Sequence, residues 1–194
     1  LADALDEGYR IRALARDASR LTKNTENLEV IQGDVLNPED VAKVIEGTDA
    51  VVSLFGHVKD SPQWLQTHGT QNIVTAMQEH GVERIISLSG GGLPYPEKDE
   101  PKLPDKIIRF IMKIAARKML NDAIEHAKVL QNSGLKWTIA RAPRLTDDQK
   151  KGHYRVGWVG VNASTKISRA DLADFLLAQV ESEEFTGQMP FVSY

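Results

Sequence analysis

Arg84-Ile85-Ile86-Ser87-Leu88-Ser89 runs directly into Gly90-Gly91-Gly92, and the stretch before it stops at Gly81. A short apolar run of this kind, rich in β-branched residues and nearly continuous rather than alternating, is how a strand buried on both faces reads. Upstream, residues 62–80 carry Leu65, Ile73, Val74 and Met77 at helical spacing. Helix, glycine stop, strand and glycine turn make one half of a crossover unit. The same unit recurs in both directions.

Towards the N-terminus lie three more apolar runs: 11–15, 28–31, and Ala50-Val51-Val52-Ser53-Leu54-Phe55, which ends at Gly56. Towards the C-terminus lies Trp137-Thr138-Ile139-Ala140. Helical patterns separate them. Residues 38–45 follow Asn37 as cap and Pro38 in the first turn. Residues 104–132 read as one long helix closing at Ser133-Gly134, and 168–181 carry Leu172, Phe175, Leu176 and Val180. Strand and helix alternating in this rhythm require a parallel sheet with right-handed crossovers. The expected fold is α/β, a Rossmann-like doubly wound parallel sheet. Residues 154–164 suggest a hairpin or short strands, and 189–193 are expected to close the sheet edge. No internal repeat and no low-complexity linker divides the chain, so residues 1–194 read as a single domain.

In such a sheet a first strand and a glycine-rich turn lead into the first helix. Here Leu1 to Asp6 read as the tail of that helix, ending at Gly8, with the strand 11–15 following at once. The first strand and the glycine-rich loop are absent from the chain. A sheet lacking its central strand leaves backbone groups unpaired, so the expectation is a natural chain longer by roughly two dozen residues.

Composition narrows the chemistry. Apolar residues make up 41% and charged residues 26%, the net charge is −3, and there is no cysteine. Disulfides, thiolate catalysis and cysteine metal sites are excluded, and nothing in the overall charge argues for nucleic acid. None of the five histidines forms a metal-ligand pair of the H-E-x-x-H kind. With no run of 18 apolar residues, no integral membrane segment is expected, and the cytoplasm is the default location.

Several stretches together carry a family resemblance. They are Ala13-Leu14-Ala15-Arg16-Asp17-Ala18-Ser19-Arg20-Leu21, Gly33-Asp34-Val35-Leu36, Gly69-Thr70-Gln71-Asn72-Ile73-Val74, Gly81-Val82-Glu83-Arg84, Ser133-Gly134-Leu135-Lys136-Trp137-Thr138-Ile139 and Arg141-Ala142-Pro143. In this order they resemble the atypical short-chain dehydrogenase/reductase group of NmrA-like proteins and flavin/biliverdin-IXβ reductases, with the closest likeness to the flavin-reductase branch. The resemblance implies an NAD(P)-binding protein.

It also assigns roles by position. Arg16 and Arg20 follow the strand 11–15, where guanidinium groups suit the 2′-phosphate of NADP and an acidic residue suits the 2′-hydroxyl of NAD. NADP is favoured, and Asp17 keeps NAD open. In similar proteins the residue matching Asp34 faces the adenine amino group and the next one, Val35, packs on the ring. A turn-forming Asp before the Asn37 cap is the competing reading, and both can hold together. Leu54, Phe55 and Gly56 close one strand against the cofactor, Gly56 allowing backbone approach. Leu88 and Ser89 close another near the nicotinamide, where Ser89 either donates to substrate or cofactor or caps the glycine turn. The family's loop over the nicotinamide corresponds to Ala142, Pro143 and Arg144, with Arg144 standing where the flavin-reductase branch has histidine. Ser89 and Arg144 are the candidate catalytic residues.

The chain departs from typical short-chain dehydrogenases in acid–base chemistry. Their Tyr-x-x-x-Lys pair corresponds here to Met119 and Ala123, neither of which transfers protons. The flavin-reductase branch also lacks that pair and relies on positioning donor and acceptor. The expected activity is therefore hydride transfer from NAD(P)H to a flavin, quinone or other conjugated acceptor, with Phe55 and Trp64 as a stacking platform. The alternative is a non-catalytic NmrA-like sensor of the nicotinamide pool. A monomer or homodimer is expected. Finally, residues 102–118 interleave Lys106, Arg109, Lys113 and Arg117 with Ile107, Ile108, Phe110, Ile111 and Ile114. Such a basic amphipathic helix most often packs on its own subunit or on a dimer partner. A lid over the pocket and a membrane surface are the other uses.

Overall fold

The computed structural model describes residues 1–21, 25–161 and 163–194, without the side chains of Arg20, Arg109, Met112 and Lys113. Its elements run in the order α1 (Ala2–Asp6), β1 (Ile11–Ala15), a 3-10 turn (Ala18–Arg20), β2 (Leu28–Gln32), α2 (Pro38–Ile45), β3 (Ala50–Ser53), α3 (Leu65–His80) and β4 (Arg84–Gly90). There follow α4 (Leu103–Ala115), α5 (Arg117–Gln131), β5 (Lys136–Ala142), β6 (Arg144–Thr146), β7 (Arg155–Gly157), β8 (Lys166–Ser168), α6 (Arg169–Glu181) and β9 (Phe191–Ser193).

The main sheet has the order β3-β4-β5-β9-β7 and is parallel except at β7, which runs against β9. β1 and β2 pair in parallel as a separate two-stranded sheet, and β6 pairs with β8. The pair β1–β2 joins the rest through α2. Leu14 packs on the same apolar cluster as Val41 and Ile45 of that helix, and the Arg12 guanidinium donates to the Glu46 carbonyl.

Helices cover both faces of the main sheet, as a doubly wound arrangement demands. On one face, α2, α3 and α5 bury Val41, Ile73, Met77, Ala127 and Leu130 against Ile85 and Ile139. On the other, Leu172, Phe175 and Leu176 of α6 pack on Ile86, Ala140 and Val192. Neighbouring residues along β4 and β5 thus serve opposite cores. This is why those strands read as continuous apolar runs.

Five expectations are corrected. The stretch 104–132 is two helices, because the backbone leaves helical geometry at Ala116 (φ −128°, ψ 31°). The run 50–55 ends as a strand at Ser53, and the helix expected from 62 starts at Leu65. The C-terminal strand does not close the edge: β9 lies between β5 and β7. The helix foreseen at 102–118 does not bury its apolar side chains on its own subunit. Leu103, Ile107, Ile108, Phe110, Ile111 and Ile114 are all at least half exposed.

Candidate functional site

The carboxyl ends of the parallel strands are where an open α/β sheet binds ligands, and the predicted residues collect there in three neighbouring groups. The first lies beyond β1 and β2. Ala15 is paired with Gln32, and the Ala15 carbonyl accepts the Gly33 N–H at 3.1 Å. Arg16 and Asp17 follow at once, both exposed. Asp17 caps the 3-10 turn, accepting from the Ser19 N–H at 3.1 Å and the Ser19 hydroxyl at 2.5 Å. The Arg20 side chain lies outside the described residues.

Across from them, Asp34 shapes the turn into α2. Its carboxylate accepts the Leu36 N–H at 2.9 Å, and its carbonyl accepts the Asn37 N–H at 2.9 Å. The turn-forming reading of Asp34 therefore holds, and its part in adenine recognition is a separate matter. Its own N–H is held by Asp40 at 2.9 Å. Gly33 makes that possible: a Cβ there would sit 2.6 Å from the Asp40 carboxyl carbon.

The second group joins β2, β3 and α3. Val35 and Phe55 meet over Gly69 of α3, where a Cβ would lie 2.7 Å from the Phe55 ring and 3.0 Å from a Val35 methyl. Asn72, one turn along the helix, donates to the Val35 carbonyl at 2.9 Å. Val35, expected to pack on adenine, and Phe55, expected as a stacking platform, thus both close on one glycine of the helix. Leu54 is 56% exposed and Gly56 is also exposed. Trp64, the other guessed platform residue, is half-buried at the N-cap of α3.

The third group joins β4 and β5. Gly90 is in register with Ala142, and the Gly91 N–H donates to the Ala142 carbonyl at 2.7 Å, so the two strand ends leave the sheet together. Leu88 faces the α6 side with Ile86, whereas Ser89 lies on the α5 side and is buried. Among the described residues its hydroxyl has no hydrogen-bond partner. Pro143 is half-buried. Arg144 points outward as the first residue of β6, exposed and without a side-chain partner among the described residues.

Behind this edge lies a polar network that sequence reasoning missed. Asp122 of α5 is fully buried and takes four hydrogen bonds. They come from the N–H groups of Gln66 (2.8 Å) and Thr67 (2.9 Å), from the Thr67 hydroxyl, and from His57 Nε2 at 2.6 Å. Trp64, the N-cap of α3, offers no side-chain cap, so a carboxylate from a different helix satisfies the first-turn donors of α3. Burial pushes the Asp122 carboxyl up, but the hydrogen bonds from Thr67, Gln66 and His57 outweigh it and hold it below the ordinary range. One helical turn later His126 is buried and bonded to Ser87 Oγ at 2.9 Å. Burial lowers its pKa to about 4 despite the nearby Asp122 charge, so the ring is neutral near pH 7. Only the spacing of Asp122 and His126, four apart on a helix, hinted at a shared face.

A second buried network pins the segment after β4. Arg141 is wholly buried, and its guanidinium makes two 2.8 Å bonds to Asp99. It also donates to the carbonyls of Leu93 and Met189. Two surface cavities, of about 460 Å³ beside Phe191 and Trp158 and of about 210 Å³ beside Tyr95 and Ile124, lie elsewhere. No predicted cofactor residue lines either one.

Known proteins share this arrangement. A family model described as NAD(P)H-binding matches residues 1–183. The 3 beta-hydroxysteroid dehydrogenase/Delta 5-->4-isomerase of Mycobacterium tuberculosis is 29% identical over 182 residues, covering 78% of this chain and 48% of that protein. The chain spans half or less of the length of such curated relatives, 48% in that case and 29% of a Mycolicibacterium neoaurum 3-beta-hydroxysteroid dehydrogenase. Among solved structures, a short-chain dehydrogenases/reductase from Veillonella parvula in complex with NADP superposes with a TM-score of 0.79 at 20% identity. The match covers 100% of this chain and 87% of that one. ChuY, an anaerobillin reductase from Escherichia coli O157:H7, superposes at 0.75 with 19% identity, covering 99% and 88%. At such identities the structures establish a common fold.

Proposed function

This chain belongs to the NAD(P)H-binding family, and from that membership we propose that it is a reductase passing hydride from NAD(P)H to a flat conjugated acceptor. Flavin, quinone and linear tetrapyrrole are the acceptor classes. The observation that carries this reading is the edge of β4 and β5. It presents the buried Ser89 hydroxyl, unpartnered among the described residues, near Ala142 and Pro143, while by the family resemblance Met119 and Ala123 correspond to the Tyr and Lys that alcohol chemistry needs. A conjugated acceptor takes hydride at one atom and a proton from water, so it needs orientation more than an acid. ChuY's name as an anaerobillin reductase supports that acceptor class. The hydroxysteroid names of the curated relatives point to ketone and alcohol chemistry, which the Met119 and Ala123 correspondence disfavours in this reading.

In this reading Arg16 holds the 2′-phosphate of NADP, with Arg20 beside it and NAD the weaker ligand. Asp34, Val35, Leu54, Phe55 and Gly56 enclose the adenosine half. Leu88, Ser89, Ala142, Pro143 and Arg144 enclose the nicotinamide half, with Ser89 donating to the carboxamide or the acceptor and Arg144 meeting an anionic acceptor. The protein works in the cytoplasm as a single cofactor-binding domain.

The test is NADPH oxidation followed by absorbance, with FMN, menadione and a linear tetrapyrrole as separate acceptors. Acceptor-dependent turnover with at least one, lowered in Ser89→Ala, is the expected result. Saturable cofactor binding without turnover for any acceptor would overturn the enzyme and leave the sensor.

A further inference from the structure

None of the described side chains of α4 is buried, and its described apolar side chains face solvent. Leu103, Phe110 and Ile114 are 63–71% exposed, and Ile107, Ile108 and Ile111 are 50–56% exposed. Residues 103, 107, 110, 111 and 114 fall on one side of the helix, and Ile108 widens that side. Six large exposed apolar residues within 103–114 form one stripe, the kind of exposed apolar surface that marks an interaction site. The main neighbour of α4 among the other elements is α5, and none of the described residues covers the patch.

Charge decides what does. The segment 102–118 has six basic side chains and one acidic, in a chain whose net charge is −3. Lys102, Lys106, Arg117 and Lys118 are exposed around the apolar side. An isologous contact with a second copy would set this helix against itself and crowd like charges together. An anionic lipid surface complements both properties at once: headgroups pair with the cations while the isoleucines and Phe110 enter the acyl boundary. We propose that α4 is a membrane-surface anchor, docking the protein in plane on anionic bilayers.

The structure also fixes where the anchor sits. Residues 91–102, which lead to α4, leave the carboxyl end of β4 and are pinned by the buried Asp99–Arg141 pair. Docking therefore brings the β4–β5 edge close to the bilayer surface.

The test uses the full 194-residue chain in flotation with vesicles of phosphatidylcholine alone or mixed with phosphatidylglycerol. Binding to the mixed vesicles, much weaker binding to the neutral ones, and loss as salt rises are expected. Because the side chains are exposed, Ile107→Glu/Ile111→Glu should fold normally by circular dichroism yet no longer float. Lys102→Glu and Lys106→Glu should each weaken binding by roughly fivefold or more. No flotation with anionic vesicles overturns the proposal, as does equal flotation of the Ile107→Glu/Ile111→Glu variant. So does a wild type that stays in solution as a dimer and becomes a monomer in that variant, since the patch would then be a subunit contact. None of these readouts depends on cofactor or turnover, so the anchor and the reductase can fail separately.

Discussion

In the proposed reading, Arg16 is the residue on which cofactor choice turns. It stands exposed one position beyond β1, and its neighbour Asp17 is committed to capping the 3-10 turn through Ser19. A carboxylate spent on a local cap is less available to a ribose 2′-hydroxyl, which tilts the pair towards a 2′-phosphate and NADP. Arg16→Ala should weaken NADPH binding by about tenfold or more, the loss of a charge-assisted hydrogen bond. NADH should bind as before. Parallel fluorescence titrations check this, and equal losses for both cofactors would remove the 2′-phosphate role. Asp34 is legible at the same scale: its place before Asn37 and Pro38 announces a turn, and the structure supplies the bonds to Leu36 and Asn37 that make one.

At the scale of elements, α3 shows what sequence order hides. Its N-terminus has no local cap, and the donors of Gln66 and Thr67 are satisfied by Asp122 from α5, more than fifty residues away in sequence. Asp122→Ala would leave those N–H groups and His57 without their acceptor in a buried place. The expected cost is about 3 kcal/mol or more in urea denaturation, with Asp122→Asn losing less because one amide oxygen still accepts. Little or no change in either variant would mean that the network is replaced by water. The elements were otherwise readable to within a few residues, since α2 begins at a cap and proline and α3 ends at Gly81. The break at Ala116 was not. Neither Gly nor Pro marks it, and helical periodicity continues across it.

Across the whole molecule, buried ionisable groups set the acid limit in two windows. His126 has a folded pKa of about 4 against 6.5 in a free chain. The unfolded chain therefore binds a proton first as pH falls, so stability is full above about 6.5 and declines towards 4. The decline amounts to about 3 kcal/mol, from 1.36 kcal/mol per pKa unit. Asp99, Asp122 and Asp171 act in the same direction, in a more acidic window. Burial raises each, but hydrogen bonds hold all three below the usual carboxylate value of 3.8, so their stabilisation is lost only at lower pH. Urea melts between pH 7 and 4 should show the decline in the wild type and a flatter profile in His126→Gln. Parallel profiles would assign the window to other groups.

The sequence by itself determined the class of the fold and which residues fall at the carboxyl ends of its strands. Periodicity and turn residues are local properties, and strands buried on both faces between capped helices admit few topologies. Residues at or just beyond a strand's end, such as Arg16, Asp34, Phe55, Ser89 and Pro143, fall at the carboxyl edge whatever the packing. Only the tertiary structure decided which of them meet. Val35 and Phe55 both close on Gly69 of α3, the Ser89 hydroxyl is buried without a partner among the described residues, and the apolar side of α4 is left exposed. Burial and partnership between distant segments are sums over the whole chain, and no local pattern contains them.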